Sequence, residues 1–307
     1  MEINNNIACE PSFSWGGTWT EKKLDAFEKY VNAYLIIMNV HRKRNGWKLI
    51  YFDGFAGSGS RIQDTKDDKE DDLIFELFND NILNKEELAP YKGAAERVVS
   101  LKQNGFDYYY FVDKDEQSLI KLREKLLHYK TEDQLKFRPK DANLVLTEMA
   151  SFMTVNKNFK ALVLLDPFGM QLNWDSIKRL GSTGTDLWIL IPTGVIVNRL
   201  LDRKGELSHI EKLTSFFGRD EQYLRDFFYK KRTEQSLFGE NTIVEKVKEP
   251  ITKIAELYIE QLKTVFEHVT SEPLVLYNSR NTPIFHFAFA SHNDTAVKIA
   301  NQIIGKM

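Results

Sequence analysis

Apolar positions near the start of the chain recur three and four residues apart. Leu24, Phe27, Tyr30, Val31, Tyr34, Leu35 and Met38 follow this spacing, which predicts one long amphipathic helix. Thr18 or Thr20 can cap its start, Glu21 suits its first turn, and Asn45-Gly46 ends it. The period then shortens. Residues 47–52, 108–113, 161–166 and 185–193 are short apolar runs, and 137–143 carries another short strand ending at Asp141. ALVLLD (161–166) is continuously apolar, as a strand buried on both faces of a parallel sheet must be. Helical spacing returns between these runs, over 92–104, 116–129 and from Ala142 through Met153. Residues 274–278 and 283–291 are strand-like and joined by SRNT as a hairpin turn, and a helix over 294–304 closes the chain.

Strands alternating with helices predict an open, doubly wound, Rossmann-like sheet, mostly parallel, with an antiparallel C-terminal strand. Residues 194–268 read as mostly helical, an insertion or cap. The expected division is therefore a sheet domain made of 1–193 and 269–307, and a helical unit over 194–268. RIQDTKDDKEDD (61–72) is acidic and polar, a surface loop at the mouth of the sheet.

Composition narrows the classes. The chain has 307 residues, 42% hydrophobic and 28% charged, which describes an ordinary globular protein. No apolar run reaches the roughly 20 residues of a membrane span. The first residues, MEINNNIACEPSFSW, lack the basic start and apolar core of a signal peptide. A cytoplasmic location is expected. Cys9 is the sole cysteine and the six histidines are scattered, so neither a disulfide nor a cysteine-rich zinc cluster is expected. The net charge of −2 argues against a nonspecific nucleic-acid binder. A local basic face remains open at HRKRNGWK (41–48) and YKKR (229–232), where solvated helix ends and faces are the plainer explanation.

The candidate chemistry starts at YFDGFAGSGS (51–60). A phosphate-binding P-loop needs Lys and Ser/Thr after its last glycine, and Ser60-Arg61 follows Gly59 instead. A dinucleotide GxGxxG fails at Ile62. A tight turn with no ligand is the plain alternative. The spacing Asp53-Gly54-Phe55-Ala56-Gly57-x-Gly59 resembles the first motif of class I S-adenosylmethionine-dependent methyltransferases. In that pattern the small residues admit the cofactor to the backbone, and the acid receives its α-amino group. The resemblance extends to Asp113, an acid after the second strand that takes ribose hydroxyls, and to Asp141 near the adenine amine. Helix capping is the alternative for both.

DPFG (166–169) resembles the (Asp/Asn/Ser)-Pro-Pro-(Tyr/Phe) motif of methyltransferases that act on exocyclic amines of bases. The resemblance makes Asp166, Pro167 and Phe168 the acceptor-site residues, with Asp166 holding the amine and Phe168 stacking on a flipped base. The match departs at its third position, where Phe168 replaces proline and Gly169 stands in the aromatic place. A strand-end acid capping a turn is the alternative.

Taken together, WTEKK (19–23), YFDGFAGSG (51–59), YKG (91–93), LLDPFG (164–169) and IFHFAFAS (284–291) resemble the three-Cys-motif partner proteins. These are bacterial proteins with a class I methyltransferase-like fold, paired with a separate cysteine-motif protein. The resemblance implies S-adenosylmethionine as cofactor, a protein partner, and methyl transfer with nucleic acid as the preferred substrate class. A noncatalytic subunit of the same fold, presenting nucleic acid or docking its partner, is the second expectation. A nucleotide hydrolase is the third, weakened by the missing Walker lysine. Lys23 could face the cleft from the first helix, with a solvated lysine the plainer reading.

Overall fold

The computed structural model describes residues 17–59, 92–101, 105–203, 205–236, 239–278 and 280–307. Cys9, Trp15, the acidic stretch 61–72, the segment 74–88 and Tyr91 lie outside these residues.

Helix α1 spans Gly17–Asn45. After it come β1 (Lys48–Asp53), α2 (Ala94–Val99), β2 (Tyr108–Asp113), α3 (Glu116–Leu126) and β3 (Leu135–Pro139). The chain continues through α4 (Ala142–Val155), β4 (Phe159–Leu165), α5 (Trp174–Lys178) and β5 (Thr185–Ile191). A π-turn over Thr193–Val197 leads into α6 (Asn198–Leu200), α7 (Ile210–Phe217) and α8 (Glu221–Phe228). Strands β6 (Tyr229–Ser236) and β7 (Gly239–Lys246) form a separate antiparallel hairpin. The last elements are α9 (Pro250–Lys263), β8 (His268–Val269), β9 (Leu274–Tyr277), β10 (Pro283–Ser291) and α10 (Asp294–Ile304).

Among the described residues eight strands form one sheet, in the order β3-β2-β1-β4-β5-β10-β8, with β9 also paired to β10. Strands β1 to β5 are parallel. Strand β10 is antiparallel to β5 and lies inside the sheet. This is the Rossmann-like, mostly parallel α/β sheet with an antiparallel C-terminal strand that the alternation of elements predicts. The order reverses between β1 and β4. Ligands of open α/β sheets bind at such a switch point, beyond the carboxyl ends of the strands.

Packing explains why these segments became these elements. Residues 161–165 of β4 are all buried, as are all of β10 but its first residue. The apolar stripe of α1 lies on one face of the sheet, where the rings of Phe27 and Tyr30 meet Tyr51, Trp188 and Phe289. Each such aromatic removes 150–250 Å² from water. The stretch 194–268 contains the β6–β7 hairpin as well as helices. YKKRTEQS alternates without an apolar face, so periodicity gives little sign of a strand there. Among the described residues no helix is long and apolar enough to cross a membrane.

Candidate functional site

Strand β1 ends in Asp53, and Tyr51 points to the same face two residues earlier. The Tyr51 hydroxyl donates to Asp53 Oδ2 at 3.1 Å, and the Phe55 N–H donates to Oδ1 at 3.3 Å. Asp53 is 2% exposed. Burial, and then the negative charge of Asp166, push its pKa up to about 7 against those two hydrogen bonds. A site that keeps a carboxyl half-neutral at physiological pH is prepared for a cation.

The loop after Asp53 is strung across the neighbouring strand ends. Gly54 N–H donates to the Leu164 carbonyl and Ala56 N–H to that of Val112, both at 3.0 Å. Gly57 N–H donates to Asp113 Oδ2 at 2.9 Å. The glycines differ in what they serve. A Cβ on Gly54 would lie 2.6 Å from Leu165, and one on Gly59 would lie 2.7 Å from Leu122. At Gly57, with φ of +55°, a Cβ would meet nothing within 4 Å among the described residues. Gly54 and Gly59 therefore serve packing, while Gly57 leaves backbone open to a ligand. Phe55 and Ala56 are half-buried and pack against the core.

Asp113, at the end of β2, also accepts the Asp115 N–H at 2.9 Å. Burial raises its pKa, opposed by the N–H groups of Asp115 and Gly57. The cap of α3 is Asp115, not Asp113, so the second acid of YYYFVDKD takes the capping role and the first faces the glycine loop. Asp141 does cap α4, accepting from the N–H groups of Asn143 and Leu144. It also pairs with Lys114 at 3.3 Å. Burial pushes its pKa up, but Lys114 and Asn143 outweigh this and hold it below the usual carboxylate value. Strand β3 ends at Pro139, so Asp141 lies beyond the strand rather than at its last residue.

Asp166 follows β4 directly, and Pro167 behind it is buried. The proline holds the Asp166 backbone extended. Phe168 is 56% exposed, an open ring beside the acid. Asp53, Gly57, Asp113 and Asp166 are thus brought to the carboxyl ends of β1, β2 and β4, and Asp141 stands one strand further out.

Two residues outside the glycine-loop and strand-end pattern belong to the site. Lys23 is buried rather than solvated, and its Nζ lies 2.5 Å from Asp166 Oδ2. The signal for it was the WTEKK motif, which three tertiary contacts explain: Trp19 stacks on Phe285 at 5.2 Å, Glu21 pairs with Arg97, and Lys23 reaches Asp166. The second is Asn143. Its side chain donates to the Gln171 carbonyl at 2.7 Å and accepts the Asn173 N–H at 2.8 Å, so the loop after Phe168 rests on the first turn of α4. Thr193, just after β5, serves the seam between β5 and β10. Its hydroxyl lies 2.8 Å from His286 Nδ1, and burial pushes His286 down to about 4.

Two of the solved structures that resemble the chain are these. One is protein LPL1258 from Legionella pneumophila, of family-model DUF519. It shows 14% identity and a TM-score of 0.36 over 88% of this chain and 97% of that one. The other is Trm1 from Pyrococcus horikoshii, solved with S-adenosyl-L-methionine. It shows 10% identity and a TM-score of 0.35 over 92% of this chain and 71% of that one. No family model and no curated protein matches the sequence. Overlap this loose leaves the crevice to be judged on its own residues. They suit a cation-bearing ligand: Asp53, Asp113 and Asp166 stand at neighbouring strand ends, one buried lysine pairs with Asp166, and the acid that ends β1 is nearly out of water.

Proposed function

We propose that the protein is an S-adenosylmethionine-dependent methyltransferase whose acceptor is a nucleic-acid base. The observation that supports this most is Asp53, a buried carboxyl with its pKa raised to about 7, beside the open backbone of Gly57. Asp53 would take the α-amino group, Gly57 would admit the cofactor to the backbone, and Asp113 would take the ribose hydroxyls. Asp113 has lone pairs left for this, since an ionised carboxylate accepts up to about four hydrogen bonds. Asp141 would border the adenine. When bound, S-adenosylmethionine supplies an electrophilic methyl group on a sulfonium, and passing it to a nitrogen lone pair leaves a neutral thioether and releases one proton.

The chain's own part is binding and orientation. Asp166 accepts an N–H of the acceptor, Pro167 fixes the backbone of that acid, and the exposed ring of Phe168 covers the base. The resemblance of DPFG to the amine-methyltransferase motif supports the nucleic-acid acceptor. The wider resemblance to three-Cys-motif partner proteins supports a separate protein partner.

Calorimetry with S-adenosylmethionine tests the cofactor assignment. Binding is expected for the parent and is lost in Asp53→Ala, and no heat from folded parent protein overturns the assignment. A second reading, a noncatalytic binding subunit of the same fold, is favoured by the departure at Phe168-Gly169. Asp166→Ala separates the two. It abolishes methyl transfer under the first and leaves biological activity intact under the second.

A further inference from the structure

Lys23 enters the crevice from α1, facing the strand-end loops. Its side chain is 6% exposed, and that of its partner Asp166 is 24% exposed. The Trp19 ring lies 5.6 Å from Nζ, and Trp19 is itself stacked on Phe285. One face of the first turns of α1 is tied down by Arg97, which pairs with Glu21, Asp25 and Glu28. The head of α1 is therefore anchored on both sides of Lys23.

Burying an ion pair contributes little net stability, because desolvation consumes most of the Coulombic gain. This pair also sits where an acceptor would meet Asp166. Lys23 takes Oδ2, and among the described residues no other hydrogen-bond donor is found on that carboxylate. Pro167 restricts the backbone of the acid, and Lys23 sets the plane of its side chain. The remaining oxygen is left for a hydrogen-bond donor. The N–H of a neutral base amine is such a donor.

We propose that Lys23 is a positioning residue for the methyl acceptor. It holds Asp166 by one oxygen and leaves the other for an N–H of a neutral nucleobase amine. This rests on the methyltransferase reading above.

The test uses S-adenosylmethionine with a tritiated methyl group. The acceptors are mixed-sequence single-stranded RNA and DNA oligonucleotides, and a lysine-rich peptide. The parent is expected to label an oligonucleotide base and not the peptide. Lys23→Met lowers kcat by about 10- to 100-fold, the scale of a misplaced reacting group, with a smaller change in KM, and Lys23→Arg recovers part of the loss. By calorimetry, Lys23→Met does not weaken S-adenosylmethionine binding, because removing a cation from an acid-rich crevice cannot disfavour a cationic ligand. A merely structural lysine would weaken it. Thermal unfolding gives a readout apart from activity. The Tm lost in Lys23→Met is regained in Lys23→Met/Asp166→Asn, since the double variant leaves no unpaired buried charge. An unchanged kcat in Lys23→Met, weakened cofactor binding, or no regain of Tm overturns the assignment. Cofactor binding by a parent that labels the peptide alone, or labels nothing, overturns the role of Lys23 and leaves the cofactor assignment standing. A parent that binds no S-adenosylmethionine overturns both.

Discussion

Asp53→Asn tests the electrostatics of the crevice without needing a substrate. The carboxyl moves from its ordinary 3.8 to about 7 on folding, chiefly through burial and then through the charge of Asp166. At 1.36 kcal/mol per pH unit this is about 4 kcal/mol of linked free energy. The sign follows from proton binding. Below pH 3.8 the acid is protonated in both states and carries no penalty. Between 3.8 and 7 the folded state holds the proton more tightly than the unfolded state, so stability falls as pH rises. Above 7 both states are ionised and the full penalty of charge burial is present. Asparagine never ionises. Its carbonyl can accept the Phe55 N–H, and its amide can donate to the Tyr51 oxygen. Urea unfolding of parent and variant at pH 4, 5, 6, 7 and 8 should therefore show a widening advantage for Asp53→Asn. That advantage is near zero at pH 4 and reaches up to about 4 kcal/mol at pH 8, while S-adenosylmethionine binding is lost. An advantage that does not grow with pH, or a variant less stable than the parent at pH 8, refutes the reasoning.

The same titration governs binding. A cationic ligand favours the ionised form of Asp53, so S-adenosylmethionine affinity should rise about tenfold from pH 6 to pH 8, with proton release below pH 7 seen by calorimetry in buffers of different ionisation enthalpy; a flat profile rules out Asp53 as the receiving acid. Gly57→Ala places a Cβ in open space at positive φ. It should cost only about 1–2 kcal/mol of stability yet weaken cofactor binding at least tenfold, and unchanged affinity would show that no ligand approaches the backbone there. Asn143→Ala leaves the Gln171 carbonyl and the Asn173 N–H without their partner. It should destabilise by about 1–3 kcal/mol in thermal unfolding, and a loss under about 0.5 kcal/mol would mean that the loop after Phe168 does not depend on it.

Much of the architecture was legible because its signals are local. Strands β2 and β10 and helix α10 keep the bounds that periodicity predicts. The strand-end acids Asp53, Asp113 and Asp166 could be placed from their order after apolar runs, since parallel strands deliver their last residues to one rim. Capping was less decidable. Asp113 and Asp115 stand two residues apart, and either can cap a helix until the loop geometry engages one of them. The β6–β7 hairpin was missed because neither of its strands carries an apolar alternation.

The chain's order of apolar runs and helices determined the parallel sheet and the rim on which the acids stand, because burial of those runs admits few other layouts. Its glycines determined that the loop after Asp53 could cross the neighbouring strand ends. Only the tertiary structure decided that Gly57, alone of Gly54, Gly57 and Gly59, has no neighbour among the described residues where its Cβ would be, since a glycine's purpose depends on what lies there. It also decided that Lys23 is buried against Asp166 rather than solvated. Helical spacing says which way a lysine points, but the charge it meets comes from a loop 143 residues away.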